Sequence, residues 1–133
     1  MPNETQTGVS RMDDSVVHDS MQIILHAGDA RTISSKALTA ATNGDIHLAR
    51  ELIEQAHEEL LQAHQIHTDR IQSEAEGNRQ DYSLLFAHAQ DTLMTITSEV
   101  LLTKRMIGIV EGYNSSIESL ETRLAKLENL KED

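Results

Sequence analysis

Residues 84–130 read LLFAHAQDTLMTITSEVLLTKRMIGIVEGYNSSIESLETRLAKLENL. The stretch contains no proline, and only Gly108 and Gly112 weaken helix formation within it. The spacing predicts one helix from near Ser83, with Asp81 or Ser83 as cap, to about Leu130. At a rise of 1.5 Å per residue it is about 70 Å long. It carries two stripes. Leu85, Ala89, Leu93, Ile96, Val100, Thr103, Ile107 and Val110 form a mainly apolar row assigned to a core. About a third of a turn away runs a second row: Leu84, His88, Asp91, Thr95, Leu102, Met106, Ile109, Tyr113, Ile117, Leu120, Leu124 and Leu127. Steps of three and four dominate this row, as in a coiled-coil seam, with one extra step of four near Tyr113. A helix with two apolar faces meets two different things, its own bundle and, on this reading, a copy of itself.

Two shorter helices precede it. Val16, Ser20, Ile23, Ala27, Ala30, Ser34, Ala37 and Ala41 share one face of a helix predicted from about Asp14 to Thr42. Asn43-Gly44-Asp45 ends that helix, and Asp45 is placed to cap the next. The second helix is predicted over Ile46 to about Glu76. Its stripe is Ile46, Ala49, Ile53, Ala56, Leu60, Ala63 and Ile71, with His67 inside it, and Gly77-Asn78 stops it. Short loops make the three helices an all-α, antiparallel up-down-up bundle whose long third helix overhangs the other two. Residues 1–13 are polar and read as a disordered leader without the apolar region of a signal peptide. The expected division is leader 1–13, three-helix domain 14–113, and helical coiled-coil extension 114–133.

Composition agrees with helix packing. The 133 residues include one Phe, two Tyr and no Trp, so the core is built from aliphatic side chains and Ala. Without cysteine there are no disulfides, thiolate metal sites or Cys nucleophiles. The net charge of -11, with no Lys/Arg cluster, argues against nucleic acid and anionic membrane surfaces as partners. No apolar run is long enough to span a bilayer.

Of seven histidines, His18, His26 and His47 stand without a neighbouring constellation. His57, His64 and His67 share the second helix. His64 and His67, three apart, have the spacing to share a transition metal, but no third ligand of fitting spacing is evident. His88 lies near the start of the third helix, one turn before Asp91 on the same face. A phosphoryl-accepting histidine must be neutral, reachable and held in one tautomer, and the helix N-terminus favours its charged product. Position alone favours a structural role for His88. Asp91 in a self-association seam gathers like charges, which protonation, hydration or a hard cation such as Mg²⁺ relieves. An open, wet seam with a solvated Asp91 is the alternative.

The segment from Leu84 to Thr95, centred on His88-Ala89-Gln90-Asp91-Thr92-Leu93-Met94, closely resembles the active-site stretch of the lactose/cellobiose-specific IIA family of the sugar phosphotransferase system (PTS). Ala27-Gly28-Asp29-Ala30-Arg31 and Asn43-Gly44-Asp45 look like that family's first-helix signature and first turn. Ala63-His64, with Thr68, Ile71-Gln72 and Glu74-Ala75, looks like its second-helix signature. The resemblance covers about Met21 to Tyr113. It implies a cytoplasmic phosphotransferase carrier, a homotrimer assembled through the third helix. It implies that His88 takes a phosphoryl group at Nε2 from HPr, with Gln90 in support. The group then passes to a cysteine of the IIB component, and on to a lactose/cellobiose/chitobiose-type sugar at the membrane-bound IIC. It further implies that Asp91 from three subunits binds one divalent cation, Mg²⁺ or similar.

Three departures qualify the resemblance. Thr92 replaces the histidine that usually follows Asp91, and His67 stands where the family usually has Gln. The tail from Asn114 to Asp133 runs past the usual end but continues the seam, so it is expected to lengthen the coiled coil. Thr92 motivates the alternative function, a regulatory or interaction paralogue of the same fold that no longer supports transport.

Overall fold

The structure is a computed structural model that describes residues 14–79 and 81–132. The leader expected over residues 1–13 lies outside them. Three helices account for nearly all the rest: α1 (Asp14–Thr42), α2 (Ile46–Ala75) and α3 (Leu84–Lys131), with no strand among the described residues.

The helix boundaries follow local chemistry. α1 ends where Gly44 adopts φ 85°, a left-handed conformation that a side chain would strain. The Asp45 carboxylate then accepts from the Leu48 backbone N–H at 3.0 Å and caps α2. α2 stops before Gly77, at φ 101°. Ser83 Oγ accepts from the Phe86 N–H at 3.1 Å and caps α3. At 1.5 Å per residue the 48-residue α3 spans about 72 Å.

The core is aliphatic and small. Ala27, Ala30, Ala37, Ala49, Ala56, Ala63 and Ala89 are all fully buried, and Ile23, Leu93, Ile96 and Ile107 fill the space between them. Alanine rows let helix axes approach closely, which suits a chain with almost no aromatic residues. Ser20 is buried too, but its hydroxyl donates to the Val16 carbonyl at 2.6 Å. No described buried side-chain polar atom lacks a partner. α1 packs more extensively against α2 and α3 than those two pack against each other.

The predicted inner faces of α1 and α3 are the observed ones: the whole α1 row is buried, as are the central members of the α3 core row. The α2 stripe needs one correction. Ile71 is exposed rather than buried. From Ala63 through His67 to Ile71 are two successive steps of four, and at 100° per residue they rotate the row about 80° off the inner face. Arg70 occupies the inner row instead. Its side chain is 11% exposed and donates to Asp19 of α1, with Nε at 3.1 Å.

Side-chain pairs tie the helices together. His26 of α1 meets Glu59 of α2 at 2.7 Å, and Arg31 of α1 grips Glu99 of α3 through two hydrogen bonds of 2.8 and 2.7 Å. Arg50 and Lys104 join α2 to α3 through Glu111 and Glu54. The charged partner raises the Arg31 pKa and holds Glu99 and Glu54 below the usual carboxylate range. The arginine and lysine pairs are exposed and contribute little each, so they fix registration more than stability. Beyond Ile107 no described residue of α3 is buried. No helix among the described residues is long and apolar enough to cross a membrane.

Candidate functional site

His88 is the fifth residue of α3, one turn inside the Ser83 cap. Its side chain is exposed, as are those of Asp91, on the same side of the helix, and Leu84 before it. Ala89 and Leu93, on the opposite side, are fully buried. Burial of one α3 face therefore turns the other, with His88 and Asp91, away from the chain's own bundle. The His88 side chain has no hydrogen bond to another described residue, so its imidazole is open to a reagent arriving from outside.

Gln90 lies elsewhere. The sequence reading put it in support of His88, but it is two residues on, about 200° around the helix. Its amide Nε2, a donor only, stands 2.8 Å from Nε2 of His67. That ring nitrogen must accept, which places the His67 proton on Nδ1. The His67 ring also stacks on Phe86, with centroids 5.9 Å apart and planes 19° from parallel. Next to it, His64 Nε2 is 3.0 Å from Thr97 Oγ1, whose own hydrogen goes to the Leu93 carbonyl at 2.7 Å. His64 is thus the donor, through Nε2. The two histidines that could have shared a metal are each engaged with a different residue of α3.

Sequence spacing did not reveal the His67–Gln90–Phe86 cluster. The only signal was His67 falling inside a core stripe, which asks for a partner without naming one. Desolvation by burial, with a smaller contribution from neighbouring His64, holds the His67 pKa below the ordinary 6.5. A neutral His67 is what Gln90 requires. In the unfolded chain the ring protonates at its ordinary value, so below pH 6.5 the unfolded state binds more protons than the folded state. Stability from this group is therefore lost as pH falls through 6.5, down to the lowered folded value. A His67→Gln variant removes the titration. Its urea midpoint should fall less than that of wild type between about pH 7.5 and about pH 5.5. Equal losses in the two proteins would show that His67 does not carry this dependence.

Beside this cluster, the end of α2 and the start of α3 leave a cleft of about 180 Å³. Arg70, Ile71, Phe86 and Gln90 are among its walls. Among the described residues no three His, Asp or Glu side chains come together to hold a metal within one chain. Asp91 offers a single exposed carboxylate, an oxygen donor suited to a hard divalent cation, so a site built on it needs carboxylates from other copies. Thr92, beside it, is half-buried.

Residues 18–111 match the family model described as PTS system, lactose/cellobiose specific IIA subunit. The chain is 37% identical over 100 residues to the lichenan-specific phosphotransferase enzyme IIA component of Bacillus subtilis (strain 168), covering 75% of this chain and 91% of that one. It is 40% identical over 85 residues to the lactose-specific EIIA component of Lacticaseibacillus casei, covering 64% and 76%. Among solved structures, the cellobiose-specific enzyme IIA of Bacillus anthracis superposes with a TM-score of 0.73 at 32% identity, covering 80% of this chain and 96% of that one. The chitobiose IIA of Escherichia coli, solved in complex with HPr, gives 0.67 at 29% identity, covering 74% and 96%.

Proposed function

The chain belongs to the lactose/cellobiose-specific IIA family of the sugar phosphotransferase system, whose members are phosphotransferase carriers, and from that premise we propose that His88 is its phosphoryl-carrying residue. The observation that carries this is the exposure of His88 on the outward face of α3, inside the matched stretch. The donor is phosphorylated HPr, a reading supported by the complex that the Escherichia coli chitobiose relative forms with HPr. The lone pair of neutral His88 Nε2 attacks phosphorus, the P–N bond to the HPr histidine breaks, and a new P–N bond forms. The other ring nitrogen keeps its proton. In the second half-reaction a cysteine thiolate of the IIB component takes the phosphoryl group and returns His88 to its neutral form. A lactose/cellobiose/chitobiose-type sugar is the final acceptor. The carrier has no need of a sugar pocket, and an exposed imidazole meets both protein partners in turn. These partners place it in the cytoplasm.

The inter-helix pairs support an up-down-up bundle, because contacts move backward along α2 as they move forward along α1 and α3. We take the working unit to be a homotrimer joined through the outward face of α3. In it Asp91 from three copies holds one divalent cation, Mg²⁺ or similar. When bound, the ion neutralises carboxylates that otherwise repel one another. An Asp91→Asn variant should lose any rise in melting temperature that Mg²⁺ gives wild type, about a few degrees, and should melt above wild type in chelator. An undiminished Mg²⁺ effect in the variant would remove Asp91 from the site.

Uptake of labelled phosphate from phospho-HPr, compared between wild type and His88→Ala, tests the central reading. Onward transfer to a cognate IIB separates it from the regulatory alternative that Thr92 raises, since a regulator accepts phosphate without donating it.

A further inference from the structure

The family match ends at residue 111, but α3 continues to Lys131 without a break. Over this last stretch no described residue of the helix is buried, and Ile117, Leu120, Leu124 and Leu127 are each more than half exposed. An isolated helix of about 20 residues is marginal in water, so a persistent one with an apolar stripe gains its stability from contact. The steps from Ile117 to Leu127 are three, four and three, which makes these residues alternate a and d positions of a heptad. They continue the row from Leu102 through Met106, Ile109 and Tyr113, after the one additional step of four.

We propose that residues 117–131 pair in parallel and in register with the same segment of other copies of this chain, as a coiled-coil stalk continuous with α3. The charges decide both occupant and direction. In this heptad Arg123 is at g, and Glu121 and Glu128 are at e. Parallel pairing sets Arg123 of one copy against Glu128 of the next, five residues on. Antiparallel pairing sets e against e, glutamate against glutamate. An exposed ion pair contributes little affinity, so Arg123 and Glu128 select orientation while the leucines supply strength. Parallel self-pairing does not depend on the phosphocarrier reading; a count of three strands rests on the trimer proposed above.

Sedimentation equilibrium of the full chain tests the stalk against a Leu120→Asp/Leu124→Asp variant. Neither side chain packs into the bundle, so the substitutions leave the bundle itself folded, which circular dichroism checks. The concentration for half-dissociation should rise by about a hundredfold or more. An unchanged midpoint, or a wild-type chain that stays monomeric at every concentration, overturns the proposal. The chain has no native cysteine, so a single Leu127→Cys reports direction. Oxidation should link two copies through this position, and an assembly of unchanged mass that fails to cross-link rules out the parallel register. A two-stranded assembly that cross-links supports the stalk while refuting the trimer. Phosphate labelling of His88 is scored separately from all of these.

Discussion

Replacing His88 with alanine should abolish phosphoryl uptake from phospho-HPr, a loss of about a thousandfold or more, while leaving the fold untouched. In the proposed reaction the imidazole is the nucleophile, and no neighbouring residue on that face of α3 can replace it: Leu84, Asp91 and Thr95 include no second imidazole. Of the other histidines at this end of the bundle, His67 is engaged with Gln90 and His64 with Thr97, while the exposed His18 belongs to α1 and lies outside the matched α3 stretch. His88 is exposed and contributes nothing to the core of the single chain, so circular dichroism should match wild type. The linkage formed on wild type identifies itself chemically. A phosphohistidine loses its phosphate in mild acid and keeps it in alkali, the reverse of an acyl phosphate on Asp91. Equal labelling of the alanine variant, or an acid-stable and alkali-labile product, would put the chemistry on another residue.

Leu93→Ala should give the largest loss of stability of any single truncation near the site. Leu93 is fully buried in the common core, two residues from Asp91 and on the opposite side of α3 from His88. The core cluster it belongs to is rich in alanine, so the walls have little side chain with which to refill a cavity. The expected cost is about 2–5 kcal/mol, against a total of about 5–15 kcal/mol for a domain of this kind. Urea unfolding at one fixed chain concentration measures it, because association adds its own stabilisation. Leu124→Ala provides the contrast. At a chain concentration low enough to dissociate any assembly, it should cost less than about 0.5 kcal/mol, because Leu124 is exposed in the single chain. A Leu93→Ala cost as small as that would mean that the α3 row facing the bundle is not the core.

Much of the fold was legible because helices are local. Asp45 and Ser83 cap within three residues of themselves, Gly44 and Gly77 take positive φ at the turns, and rows spaced by three and four mark a face. Where spacing misled, it did so by a small accumulated rotation. Ile71 lies on the predicted stripe of α2, but two steps of four carry it off the inner face, and Arg70 with Asp19 takes the inner row. The long-range pairs were not legible at all. Arg31–Glu99 and Arg50–Glu111 join residues some 60 or more positions apart, and nothing in the spacing of either helix states their axial offset.

The candidate site divides the same way. Helical spacing alone puts His88 and Asp91 on one face of a long helix and gives that helix a second apolar row continuing to Leu127. Both follow from 100° of rotation per residue along one element. The same spacing assigned the Leu85–Val110 row to the core, and the structure buries its central members; what came from packing alone is that Gln90 turns inward to His67 instead of supporting His88. That choice rests on contacts between residues 23 positions apart, across two helices. It is set by how the alanine rows of α1 and α2 receive the Ala89–Leu93–Ile96 face, a matter of packing between elements that no spacing within α3 contains.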